Sequence, residues 1–123
     1  MKLSRLFIAN AIINAAYGLA FVAIPVQLLE LYGVSLNPGS ALVARLFGGA
    51  LIAIGLILWR LRSSPREVAQ LVVLPLFVCE ALGFVTYVMA MLAGSVNVLG
   101  WGVVLIYGVF AAIYGYLFFV KPH

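Results

Sequence analysis

Residues 68–92 read VAQLVVLPLFVCEALGFVTYVMAML, an apolar run with a single charged residue, Glu80, near its middle. A helix needs roughly 20 apolar residues, at a rise of about 1.5 Å each, to cross the hydrocarbon layer. This stretch therefore predicts a membrane-spanning helix. A charge at mid-depth costs about 2.5–3.5 kcal/mol on insertion scales. We therefore expect other parts of the chain to supply partners for Glu80.

The composition places the whole chain in a lipid bilayer. Of its 123 residues, 67% are hydrophobic and 8% are charged, and the mean hydropathy is +1.25. A soluble domain has about 25% charged residues. The length suits four spans with short loops and leaves no room for a soluble catalytic domain. The net charge of +4 is too small and too dispersed to predict a nucleic-acid partner.

Three further apolar stretches complete a four-span pattern. We expect spans at about residues 6–24, 41–59, 68–92 and 98–120. Between the first two, the segment VQLLELYGV is too short to cross, and its Gln27 and Glu30 alternate with leucines. This pattern predicts a short amphipathic helix in the membrane interface. The predicted fold is therefore all-α: a four-transmembrane-helix bundle that forms a single integral membrane domain over residues 1–123.

Local signals predict where the helices begin and bend. Asn37-Pro38-Gly39 is typical of a turn, and Ser40 is the predicted N-cap of the second span. Pro75 has no N–H, so it leaves the carbonyl of Leu71 without its helical partner. We expect a kink in the third span at this point.

The basic residues predict the orientation of the chain. Those outside the spans precede the first span, lie between the second and third, or follow the fourth, namely Lys2, Arg5, Arg60, Arg62, Arg66 and Lys121. In a four-span protein these three places lie on one side of the membrane. The opposite loops carry only Glu30. Because basic loops stay in the cytoplasm, both termini are expected to be cytoplasmic.

Each span brings one polar residue to a similar depth. Counted from the predicted cytoplasmic ends, Arg45 lies about 21 Å and Glu80 about 20 Å into the membrane. Tyr107 lies at about 20 Å and Asn14 at about 18 Å. The central hypothesis is an ion pair between Arg45 and Glu80, with Tyr107 and Asn14 supplying further hydrogen bonds. Such a pair could be structural, could bind a small or lipid-like ligand, or could serve catalysis.

Further polar residues share the faces of these four, and we count them as possible lining of the same site: Asn10, Tyr17, Tyr87 and Tyr114. The asparagines of the first span suit either hydrogen bonds between helices or contact with a ligand. In the fourth span Tyr107-Gly108 recurs seven residues later as Tyr114-Gly115. Small and aromatic residues at a heptad step are typical of helix packing in a bundle.

The chain lacks the residues of common catalytic and metal sites. Its only histidine is the last residue, His123, and its only cysteine is Cys79. There is no Ser–His–Asp set, phosphate-binding loop or zinc motif. We therefore predict no catalytic residue and no metal site. The only cofactor considered is a bound quinone or lipid.

Residues 25–59, PVQLLELYGVSLNPGSALVARLFGGALIAIGLILW, resemble a pattern found in small bacterial four-span proteins of unknown function. These proteins are similar in size and layout to the DoxX-like group. Some DoxX-like members are implicated as small subunits of quinone-linked oxidoreductase complexes. The resemblance implies a bacterial inner-membrane protein with an accessory role beside a redox partner. No catalytic residue of that group can be matched onto this sequence.

Three function classes follow. The favoured one is a non-catalytic accessory subunit or hydrophobic-ligand-binding protein that packs on other membrane subunits or on a second copy of itself. The second is a small proton-coupled transporter that uses Glu80, although such exporters usually have a weaker charge bias. The third is a membrane lipid isomerase-like enzyme that uses Glu80 with Tyr107. Small membrane isomerases usually offer more acidic residues and histidines, so the sequence leans against an enzyme.

Overall fold

The structure, a computed structural model, describes residues 3–120, and these residues form helices and turns without any strand. In chain order the helices are α1 (Leu3–Ala23), α2 (Pro25–Leu31), α3 (Pro38–Leu61), α4 (Arg66–Gln70), α5 (Val73–Leu92) and α6 (Gly100–Gly115), and a π-helical turn (Tyr116–Val120) continues α6. The predicted all-α class is confirmed.

Four helical segments are long and apolar enough to cross a membrane: Leu3–Ala23, Pro38–Leu61, Arg66–Leu92 and Gly100–Val120. Their ends lie close to those predicted from the sequence. The short helix α2 lies between the first two, as predicted. The chain is therefore a multi-pass membrane protein of the all-α class.

The chain forms two compact units, the first ending at Pro65 and the second beginning at Arg66. In the first unit α1 packs along α3, and α2 connects them. In the second unit α5 packs along α6. The prediction that residues 1–123 act as a single domain stays a prediction.

The contact between α1 and α3 is made by small residues. A Cβ atom on Gly18 would lie 2.8 Å from the carbonyl oxygen of Gly48, and one on Gly48 would lie 2.7 Å from that of Gly18. Further along the pair, a Cβ atom on Gly55 would lie 3.0 Å from the carbonyl oxygen of Ala11. The two backbones thus run antiparallel in direct contact. In lipid, such close packing is a main source of helix association.

The contact between α5 and α6 is made by aromatic rings lying on glycines. The three pairs are Gly83 with Tyr107, Gly108 with Phe84, and Gly115 with Phe77. A Cβ atom would lie 3.1 Å from the Phe84 ring at Gly108 and 2.9 Å from the Phe77 ring at Gly115. The two phenylalanines are seven residues apart, as are their glycines. The same contact therefore repeats along an antiparallel pair, at the heptad step seen in the sequence.

Two helices end at a glycine in the left-handed conformation. Gly33 has a φ of 80° after α2, and Gly94 has a φ of 74° after α5. After α2, the N–H of Val34 donates to the carbonyl of Leu29 at 2.8 Å. This is the Schellman arrangement, which glycine adopts without steric strain.

The start of α3 differs from the prediction. Its N-cap is Asn37, whose side-chain oxygen accepts the N–H of Ser40 at 2.8 Å. The prediction of Ser40 as the N-cap is wrong, because Pro38 fits the first helical position and starts the helix earlier.

The third span is broken where the sequence predicts a kink. Helix α4 ends at Gln70 and α5 begins at Val73. At the break the N–H of Leu71 bonds to the carbonyl of Val68 at 3.1 Å, which is a three-residue turn rather than an α-helical bond. Because Pro75 cannot donate to the carbonyl of Leu71, α-helical bonding is already weakened here.

Candidate functional site

Glu80 lies in the contact between α5 and α6. It follows Phe77 by three residues and precedes Gly83 by three, and both of these contact α6. Residues three apart share a face of a helix, so Glu80 points toward α6 as they do. Only 6% of Glu80 is exposed. The structure therefore buries a carboxyl group within a membrane-spanning segment.

Two tyrosines of α6 lie on either side of Glu80. The ring-on-glycine contacts set a register that places Glu80 opposite residues 111–112. Tyr107 and Tyr114 are therefore about one turn away in opposite directions along α6. Both have interaction partners in the structure, as Glu80 does. A tyrosine hydroxyl can donate a hydrogen bond to a carboxylate and accept one from a protonated carboxyl group. The layer formed by Glu80, Tyr107 and Tyr114 can therefore accommodate Glu80 in either protonation state.

Aromatic packing orders the tyrosines of this unit. The ring of Tyr87 lies 5.9 Å from that of Tyr107, and the ring of Phe110 stacks on that of Tyr114 at 6.1 Å. Tyr114 is completely buried in the interior, whereas Tyr87 and Tyr107 are half-buried and pack on each other.

The asparagines of α1 bond to each other. The Nδ2 atom of Asn14 donates to the carbonyl oxygen of Asn10 at 2.8 Å and to its side-chain Oδ1 at 2.6 Å. Asn10 is 1% exposed. These bonds lie within one helix, and the predicted role of the asparagines in contacts between helices or with a ligand stays a prediction.

Tyr17 joins α1 to the end of α2. Its hydroxyl lies 2.9 Å from the hydroxyl of Tyr32, and either group can be the donor. Sequence reasoning placed Tyr17 in the lining of the site and did not single out Tyr32. The structure shows that Tyr17 holds the connection between the first two spans.

Arg45 is exposed on α3 in the first unit. Asn10, Asn14 and Tyr17 also belong to that unit, whereas Glu80 and the other predicted tyrosines belong to the second. The predicted ion pair between Arg45 and Glu80 would join the two units, and it stays a prediction.

The second unit carries an apolar groove that the sequence analysis did not predict. Its volume is about 420 Å³, and its lining residues are Phe84, Trp101, Val104, Leu105, Gly108, Val109 and Ala112. All but Phe84 come from one face of α6 at steps of three and four residues. That spacing, together with the small residues Gly108 and Ala112, is the signal that could have indicated the groove.

Two further charged or reactive side chains are Arg62, at the end of α3, and Cys79, on α5. The guanidinium of Arg62 lies 3.9 Å from the centre of the Trp59 ring and donates to the Trp59 carbonyl. Cys79 is exposed, although its neighbour Glu80 is buried. Within residues 3–120, no three His, Cys, Asp or Glu side chains cluster to hold a metal ion.

The fold and this layer define a multi-pass membrane protein with an acidic residue buried between two of its helices. No protein-family model, curated protein or solved structure matches the chain. The resemblance to DoxX-like proteins stays a prediction.

Proposed function

We propose that the protein is a non-catalytic accessory subunit of a larger complex in the bacterial inner membrane, with a quinone-linked redox complex as the candidate assembly. The observation that supports this proposal is the apolar groove of the second unit. Its lining includes Gly108 and Ala112, four residues apart on one face of α6. The ring of Phe84 already lies over Gly108, whereas Ala112 is exposed, and its small side chain lets another transmembrane helix approach closely.

The groove suits a helix of another subunit or of a second copy of the chain. Lipid tails are as apolar as leucine, so a groove in the membrane gains little from hydrophobicity alone. What favours a partner helix is van der Waals contact, which follows the shape of a concave surface more fully than mobile lipid chains do. The exposed ring of Trp101 at the start of α6 offers a further large contact.

The experiment is co-purification of the tagged protein from its native membrane in mild detergent. Ala112→Phe fills the groove with a ring on an exposed residue. We expect it to abolish recovery of the larger complex. Ala16→Phe makes the same change on an exposed residue of α1 and should leave the complex intact. A wild-type protein that runs as a single monomer would overturn the proposal.

The proposed orientation has both termini in the cytoplasm. Arg60, Arg62 and Arg66 support it, since they fall together between the second and third spans. Lys2 and Lys121 lie outside the described residues. Fusions of the C-terminus to green fluorescent protein and to alkaline phosphatase test the orientation. Fluorescence without phosphatase activity is expected, and the reverse result would contradict the assignment.

A second candidate function is binding of a hydrophobic molecule such as a quinone or lipid. The groove volume of about 420 Å³ lies within the 300–1,000 Å³ typical of small-molecule sites. In a Trp59→Phe variant only Trp101 remains to report on the groove by fluorescence. Saturable quenching by decylubiquinone that is lost in Ala112→Phe would support this function. Quenching that never saturates would contradict it.

Burial of Glu80 near Tyr107 favours two further candidates, a proton-coupled transporter and a membrane lipid isomerase-like enzyme. Glu80→Gln removes the charge and the acid function and keeps the size. Proton-linked flux in liposomes that is lost in Glu80→Gln and kept in Glu30→Gln would support a transporter. Turnover by the purified protein that survives Glu80→Gln would exclude Glu80 as the acid or base of an enzyme.

A further inference from the structure

Arg45 places a permanent charge on the outer surface of a membrane-spanning helix. It is exposed on α3, and Gly49 and Ala53 follow it at steps of four residues on the same face. A Cβ atom on Gly49 would meet no described atom within 4 Å. The exposed side chains of Leu46 and Leu56 lie on either side of this row. We call the exposed row of Gly49 and Ala53, with the positive charge of Arg45 at one end, the furrow.

The position of Arg45 along α3 determines what it can reach. Helix α3 has 24 residues and a length of about 36 Å, against a hydrocarbon layer of about 30 Å. Arg45 follows Pro38 by seven residues, so its Cα lies about 10 Å from the start of the helix. If α3 is centred, that atom is about 7 Å inside the hydrocarbon boundary. The long side chain can cover much of this distance.

The direction of the side chain favours the headgroups. Side chains on an α-helix lean toward its N-terminus, which for Arg45 is the Pro38 end and the nearer membrane surface. Arginine side chains near a helix end commonly extend to the interface in this way. We therefore expect the guanidinium to extend toward the level of the lipid phosphates.

We propose that Arg45 binds the phosphate of a phospholipid in the leaflet at the Pro38 end of α3, and that an acyl chain of the same lipid lies over Gly49 and Ala53. The planar guanidinium donates two parallel hydrogen bonds to a phosphate, which makes arginine a better partner for this group than lysine. The furrow below accepts the chain because its central residues are small.

Other occupants fit this face less well. A second copy packed by symmetry against the same face would bring two Arg45 side chains together, and like charges repel. The competing anion is a carboxylate such as Glu80, which is already buried in a membrane-spanning segment, and an ion pair between Arg45 and Glu80 would overturn this proposal. A lipid phosphate is already at the headgroup level and carries the required charge.

Native mass spectrometry of the detergent-purified protein tests the proposal. The probes are dioleoylphosphatidic acid and dioleoylglycerol, which have the same chains and differ only in the phosphate. We expect the wild type to retain one phospholipid at least tenfold more strongly than the glycerol lipid. Arg45→Gln should lower this retention about tenfold, because losing a charge-assisted hydrogen bond weakens binding by roughly a factor of ten or more. Arg45→Lys should lose less than Arg45→Gln.

Two further variants keep the test decisive. Ala53→Leu narrows the furrow without touching the charge and should weaken retention of the phospholipid. Arg66→Gln removes an exposed arginine outside the furrow and should leave retention of the phospholipid unchanged. Unchanged retention in both Arg45→Gln and Ala53→Leu, or equal retention of the two lipids by the wild type, would overturn the proposal. So would a carboxylate of a co-purified protein cross-linked to Arg45.

Discussion

Gly18 and Gly48 bring the backbones of α1 and α3 into direct contact. A Cβ atom on either residue would lie within 2.8 Å of the carbonyl oxygen of the other. At both positions the nearest atoms include a backbone carbonyl oxygen of the facing helix, which cannot rotate aside as a side chain can, so neither helix can make room for a larger residue without moving away. The two units therefore use different solutions for close packing. The first brings backbone against backbone, and the second lays a ring on a glycine.

Gly18→Leu should destabilise the first unit strongly. The added side chain would push α1 away from α3, and overpacking of this kind costs about 1–3 kcal/mol or more. Thermal unfolding in detergent measures the loss. Gly49→Leu is the matched control on the open side of α3, where a Cβ meets no described atom, and it should unfold close to the wild type. Equal effects of the two changes would show that α1 and α3 do not meet at this face.

Gly83→Ala should destabilise the second unit, and a smaller residue at position 107 should compensate. The methyl group would enter the space of the Tyr107 ring, at a cost of about 1–3 kcal/mol. Tyr107→Ala is costly by itself, yet it removes the collision. The double variant should therefore be more stable than the sum of the single changes by about 0.5–3 kcal/mol.

The control for the comparison of Gly83→Ala, Tyr107→Ala and the double variant is Gly102→Ala in α6. A Cβ atom there meets no described atom within 4 Å. Because alanine favours a helix over glycine, this variant should be unchanged or more stable by about 0.5–1 kcal/mol. Strict additivity of Gly83→Ala and Tyr107→Ala in urea or thermal unfolding would refute the contact.

Asn37→Ala should weaken the start of α3 by about 1 kcal/mol, because the cap bond to the N–H of Ser40 is lost. Ser40→Ala keeps that N–H and should change stability by less than about 0.5 kcal/mol. Hydrogen exchange of the first turn of α3 reports the difference directly. Faster exchange in Ser40→Ala than in Asn37→Ala would restore the sequence-based assignment of the cap.

Tyr17→Phe and Tyr32→Phe should each cost about 0.5–1.5 kcal/mol, the usual worth of one hydrogen bond. Both changes break the same bond between the hydroxyl groups. The double variant should therefore cost less than the two single costs together. Hydrogen exchange of α2 should rise in all three variants. Independent, additive effects would mean that the two hydroxyls have separate partners.

Hydropathy and length predicted the four spans, because every spanning helix must cover the same hydrocarbon thickness with apolar residues and satisfy its own backbone hydrogen bonds. Heptad spacing of small and aromatic residues likewise indicated the packing face of α6. The partner of each glycine did not follow from spacing. Whether Gly48 meets a backbone and Gly108 a ring depends on the relative rotation of two helices, which a single sequence does not determine.

The site depends on details that residue spacing does not determine. Asn14 bonds to Asn10 within its own helix, because side chains four residues apart are neighbours on a helix surface. The depth predicted for Glu80 assumes an unbroken third span, but the chain makes a three-residue turn at Leu71 before α5 begins. A count of residues measures depth only while the helix continues.

Because Cys79 is exposed, the depth of α5 in a bilayer can be measured on the native chain. This thiol is the only one in the sequence, so a nitroxide can be attached there without any engineered mutation. Dissolved oxygen and a water-soluble nickel complex each speed the relaxation of the nitroxide electron spin, and the ratio of the two effects would give the depth of Cys79 in a bilayer. Because the adjoining residue is Glu80, the same spectrum locates the buried acid to within one step along the helix.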